Sequence, residues 1–163
     1  MRARGWFLAS LTVVGMMQVR PYAADTFRLT VANTFALLGA DAGANAPNTK
    51  ASLKNAFMAV RAEGCANVPT VRVTARAEGL VGSARRSEPL VITPVSPPGA
   101  FAVSHPPAGG QWVIALVGTC GNVAAGAVVP VTASGFDRDA STFYSRAATP
   151  AEIDAALKKA PRR

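Results

Sequence analysis

The residues of this 163-residue chain best equipped to do chemistry are two cysteines, one histidine and one close pair of carboxylates. Cys65 lies in RAEGCANVP, and Cys120 closes the apolar run GGQWVIALVGTCG. Neither cysteine belongs to a C-x-x-C motif suited to thiol exchange, and neither has a neighbouring histidine to draw off its proton. An even number of cysteines without metal-type spacing points to a structural disulfide in an oxidising compartment. Closing a loop of this length stabilises a fold by about 4 kcal/mol in the chain-entropy model. Two unpaired buried thiols, or a redox or metal role, are the competing readings.

His105, in VSHPPAG, is the single histidine, so a His-rich metal site, a Ser-His-Asp triad or a Cys-His pair would each have to be built on it. A soft-metal set of Cys65, Cys120, Met58 and His105 is chemically admissible, because thiolate and thioether suit Cu(I), although no spacing favours it. Asp137 and Asp139 in GFDRDAS lie two apart, which places them on one side of an extended chain. The rest of a calcium loop is missing, and Arg138 supplies a counter-charge, so a turn with solvated acids is the better reading. GTCGNVAAG lacks the Lys-Ser/Thr of a phosphate loop. These residues assemble no activated nucleophile, and the expectation is a protein without enzymatic activity or cofactor.

Half of the residues are hydrophobic and only 16% are charged, which suits one globular core. Fourteen glycines and twelve prolines among Val, Thr and Ala predict short strands separated by turns. The folded domain is expected over residues 50–148. NAFMAVRAE reads as its first strand, with Met58, Val60 and Ala62 on one side and Phe57, Ala59 and Arg61 on the other. TVRVTARAE alternates Val71, Val73, Ala75 and Ala77 with Arg72, Thr74, Arg76 and Glu78, the pattern of a half-exposed antiparallel strand. A turn at Gly82 and Ser83 follows. SEPLVITPV returns as one strand near an edge, limited by Pro89 and Pro94.

GAFAV is a short strand, and QWVIALVGT is apolar enough to be buried on both faces, with Trp112 in the core. VAAGAVVPVTA continues the sheet, with a break or bulge expected at Gly126 and an edge at Pro130. Phe143 and Tyr144 fall in the connection to the last element. TPAEIDAALKKA is a helix over 149–163 with its basic tail: Thr149 is the N-cap, Pro150 the first helical residue and Glu152 the partner in a capping box. Its apolar stripe is Ile153, Ala156 and Leu157. The fold class is therefore all-β, an Ig-like antiparallel β-sandwich with a short C-terminal α-helix.

Seventeen basic against nine acidic residues give a net charge of +8. Their distribution speaks against nucleic acid: Arg2, Arg4 and Arg20 accompany a leader-like start, and Lys158, Lys159, Arg162 and Arg163 crowd the other end. Arg72, Arg76, Arg85 and Arg86 form the one local group, placed by the strand pattern on a single solvent face. MRARGWFLASLTVVGMM has the charged start and short apolar run of a secretory signal, which predicts a leader over 1–24 and a flexible segment over 25–49. A second leader-like run, Leu29 to Ala40, is followed by small-x-small sites at Ala42 and Ala46, giving the alternative leader 1–46. The third reading retains the N-terminal segment as a membrane anchor, the one case in which a membrane is a partner.

The stretch from AVRAEGC through VRVTARAEGLVGSARRSEPLVI, GAFAV and GQWVIALVGT to TPAEIDAAL resembles a family of small exported bacterial proteins of unassigned function, with an Ig-like or transthyretin-like β-sandwich. In outline it is also similar to periplasmic copper-resistance-type sandwiches. The resemblance implies an exported scaffold and carries no catalytic residues across. The reading is a periplasmic or secreted accessory or binding module, with Arg72, Arg76, Arg85 and Arg86 as its surface and another exported protein or an anionic surface as its partner. The alternative is a periplasmic carrier of copper or another soft metal.

Overall fold

A computed structural model describes residues 26–34 and 47–162. The expected leader over 1–24 lies outside the described residues, as do the small-residue sites at Ala42 and Ala46. In chain order the elements are β1 (Arg28–Ala32), α1 (Pro47–Lys54), β2 (Met58–Glu63), β3 (Arg72–Val81), β4 (Ala84–Leu90), β5 (Ile92–Val95), β6 (Ala100–Val103), β7 (Gln111–Cys120), β8 (Val123–Thr132), β9 (Gly135–Phe136), β10 (Thr142–Tyr144) and α2 (Pro150–Lys159). The strands form two antiparallel sheets. One runs β1-β2-β6-β5 and the other β10-β8-β7-β3-β4, with β9 paired to β8.

This order is the Ig-like one. The first sheet corresponds to strands A, B, E and D, and β4-β3-β7-β8 to C′, C, F and G of an immunoglobulin domain. Period-2 patterning sets the layers. Val71, Val73, Ala75 and Ala77 of β3 and its approach face inward with Trp112, Ile114 and Leu116 of β7 and Ala125, Ala127, Val129 and Val131 of β8. Leu29, Val31, Met58, Val60, Phe101 and Val103 of the first sheet close the core from the other side. The outer faces carry helices: Leu53 of α1 packs on Ala59, Val95, Ala100 and Ala102, and Leu157 of α2 on Val113 and Val128.

Four local expectations are corrected. The segment expected to be flexible over 25–49 contains β1, which pairs with β2 along its whole length, from Arg28 opposite Glu63 to Ala32 opposite Ala59, with Leu29 and Val31 buried. SEPLVITPV is not one strand. It divides at Val91, which is 67% exposed, and the chain passes there from an edge of the second sheet to an edge of the first. Ser104 holds the crossing, its Oγ accepting from the Val91 N–H and its own N–H donating to the Val91 carbonyl.

β8 is unbroken at Gly126, which pairs with Val117 on one side and Tyr144 on the other. The glycine makes room for the passing chain, since a Cβ there would lie 2.5 Å from the Arg146 carbonyl oxygen. Pro130 is likewise not at an open edge. Its carbonyl accepts from the Asp137 N–H, and because N and C=O of one strand residue point the same way, the missing N–H faces away from β7 and breaks no rung there. The last part of the chain forms as read. Thr149 accepts from the Glu152 N–H, and Glu152 reaches back to the Thr149 N–H at 2.7 Å.

Candidate functional site

The fold places the two ends of β7 in different surroundings. Cys120, the last residue of β7, meets Cys65, which follows β2. Their sulfurs are bonded at 1.99 Å, with the Cα atoms 5.9 Å apart. The link ties the first sheet to the second, joining the strands equivalent to B and F. Cys65 is buried and Cys120 packs against the same core, so the bond is part of the interior.

The soft-metal set is not brought together. Both thiols are used in the bond. Met58, wholly buried, begins β2, seven residues before Cys65, which on an extended strand is roughly 20 Å away. His105 stays with Met58 at that far end, edge-on to the Phe57 ring with centroids 5.4 Å apart. Among the described residues no group of three or more His, Cys, Asp or Glu side chains is placed to hold a metal ion. Asp137 is committed to a turn: its Oδ1 accepts from the Ala140 N–H and its carbonyl from the Ser141 hydroxyl, while Asp139 is exposed.

The arginine group lies on the β3–β4 hairpin, whose two-residue turn contains Gly82 at φ 64°, a backbone state that disfavours a side chain. The turn fixes the register, with Val81 opposite Ala84, Leu80 opposite Arg85 and Gly79 opposite Arg86. Arg72, Arg76 and Arg85 consequently share the outer face. Arg86 does not: it stands on the inner side of the edge strand, across from Gly79 and the buried indole of Trp112, and makes no ion pair with a described residue. The single basic face expected from the sequence is therefore divided.

What the outer face carries is a relay of alternating charge. Arg76 donates from Nε and Nη2 to the Ser87 hydroxyl at 3.0 and 2.8 Å, and Ser87 donates in turn to Oε1 of Glu78. Arg85 donates to Oε2 of Glu78 at 3.3 Å and, through its other nitrogen, to Asp154 of α2. Glu78 lies at the centre, its side chain only 12% exposed. The hydrogen bond to Asp154, opposed by partial burial and assisted by Glu78, raises the Arg85 pKa further above its ordinary value. Arg72 donates to the carbonyls of Pro69 and Val71. The face is thus largely compensated, with the side chains of Arg76 and Arg85 still about half exposed.

Sequence reasoning missed Glu78, Ser87 and Asp154 as members of this group. The first two were available in principle, because a two-residue turn at Gly82 and Ser83 puts position 78 opposite 87; the Asp154 contact depends on where α2 docks. Beside the packing of Leu157 on Val113 and Val128, Gln111 holds the end of α2, its side-chain N–H₂ donating to the carbonyls of Leu157 and Ala160. A cleft of about 340 Å³ between α1 and β5–β6 is lined by Ser52, Asn55, Thr93 and Ser104, and another of about 250 Å³ beside α2 by Asp137, Tyr144, Glu152 and Lys159. Glu152 is engaged there by Arg146 at 2.7 Å. Comparison with family models, with curated proteins and with solved structures finds no match to this chain.

Proposed function

We propose that this protein is a disulfide-stapled Ig-like module that works outside the reducing cytosol, periplasmic or secreted, and acts by binding another exported protein rather than by turning over a substrate. The observation that carries the reading is the bond between Cys65 and Cys120, which joins the two sheets inside the core. Such bonds persist where glutathione and thioredoxin do not hold thiols reduced. The charged N-terminal start and apolar run give the same direction.

The surface offered for binding is the β3–β4 hairpin. Arg72 and Arg76 lie exposed along its outer face, and Arg86 is exposed on the inner side of its edge strand, so a partner with acidic side chains that wraps the hairpin finds planar donors on both sides. Arg85 belongs to the same surface but also anchors α2, so it is left intact in the test. A protein carrying Arg72→Ser, Arg76→Ser and Arg86→Ser is compared with wild type in a pull-down from periplasmic extract and in flotation with anionic vesicles. The reading predicts that the variant loses a protein captured by wild type, with circular dichroism unchanged. Identical captures by both proteins would refute this surface, and loss confined to vesicles would replace the protein partner by an anionic membrane.

A further inference from the structure

The sequence offers two places where a leader could be removed, one ending at Ala24 and one at Ala42 or Ala46. The fold discriminates between them. Phe27, Leu29 and Val31 precede the second site, and all three are buried between the sheets, Val31 with 1% of its surface exposed. β1 pairs with β2 at five successive positions and completes the first sheet, and Arg28 closes its outer side with an ion pair to Glu63 at 2.8 Å. The opposite sheet is shaped to receive it. A side chain at Gly118 of β7 would place its Cβ 2.7 Å from Cδ2 of Leu29 and 3.3 Å from the Phe27 ring, so the missing side chain on β7 is the seat of β1.

We propose that this protein is processed upstream of Phe27, at the Ala24–Asp25 bond, and that the sites at Ala42 and Ala46 are not used. The inference rests on the export reading above and deepens it by assigning the mature N-terminus. A leader peptidase would add one water across that peptide bond, leaving a carboxylate on Ala24 and a free amino group on Asp25. The mature chain keeps β1. Cleavage after Ala46 would instead remove three buried side chains, bare the β2 edge and leave Gly118 facing a void. The apolar character of Leu29 to Ala40, which makes this run resemble a second leader, has in its first part a different origin, since Leu29 and Val31 are core residues.

The test has two arms. The full 163-residue chain is produced in an exporting bacterial host, and the periplasmic product is characterised by intact mass and N-terminal sequencing. An N-terminus at Asp25 is expected; one at Gly43 or Pro47 overturns the inference. In the second arm, chains beginning at Asp25 and at Pro47 are compared by urea unfolding. The Asp25 chain is expected to unfold cooperatively and the Pro47 chain to show no cooperative transition. Equal midpoints for the two would overturn the role of β1, whatever the first arm gives. An uncut chain confined to the cytosol would refute export itself, and the second arm would still decide whether β1 belongs to the folded unit.

Discussion

The two ends of β7 are closed by different physics. At its start Trp112 is wholly buried, and its ring occupies the place where a side chain at Gly79 would be, 2.2 Å from that Cβ position; α2 covers the outer face beside it through Val113 and Leu157. At its finish Cys120 is held covalently to Cys65. An immunoglobulin domain of the antibody type packs a tryptophan of strand C against the B–F bridge. Here tryptophan and bridge sit at opposite ends of the strand equivalent to F, eight residues apart. The difference teaches that packing closes one end under any redox condition, while the other end is secure only where the bridge can form.

The largest way to break this comparison is Trp112→Ala, expected to cost about 5 kcal/mol, the upper part of the range for a buried aromatic. The loss should be the same in oxidising and reducing buffer. Replacing Cys65 and Cys120 together by Ala should cost about 4 kcal/mol by the loop-entropy relation for a sequence separation of 55. Because the two ends are far apart, the effects should add within about 0.5 kcal/mol in denaturant unfolding; a larger coupling would show that they form one unit. Leu157→Ala, which removes the main anchor of α2, is expected to cost about 3 kcal/mol and to release α2 before the sheets, read by hydrogen exchange.

Smaller effects test the N-terminus of α2. Thr149→Ala removes the cap oxygen and should lower stability by about 1 kcal/mol. The hydrogen bonds from Arg146, first, and from the Thr149 N–H hold the Glu152 carboxyl down from 4.5 to about 2. A carboxylate with a depressed folded pKa stabilises above its unfolded value, so this contribution is complete above about pH 4.5 and is lost as pH falls through about 2. In Glu152→Gln that part of the acid dependence should disappear, measured as the slope of the urea midpoint against pH between 5 and 2. An unchanged slope would mean that other carboxylates govern it.

Much of this architecture was legible in the residues. The alternation of Val71 to Glu78, the double-sided burial around Val113 and the capping box at Thr149 all reflect local periods and spacings that the fold keeps. What was hidden depends on partners distant in sequence. β1 resembles a leader because a buried edge strand and an export signal are both short apolar runs, and only pairing with β2 separates them. α1 escaped notice because its contact with the core rests on Leu53 against small residues of β2, β5 and β6. The division of the arginine face was hidden less deeply. Strand period and turn length together place Arg85 and Arg86 on opposite sides, yet two adjacent arginines in sequence invite being read as one patch.

The bridge between Cys65 and Cys120 is the feature on which both the fold's second closure and the proposal of an address outside the cytosol rest. The direct measurement is thiol alkylation of the protein recovered from its exporting host, denatured before and after reduction and weighed by intact mass. The account predicts no adduct before reduction and two after it. Two adducts on the unreduced protein would contradict it, leaving the sandwich to packing alone and removing the chief reason for placing it outside the cytosol.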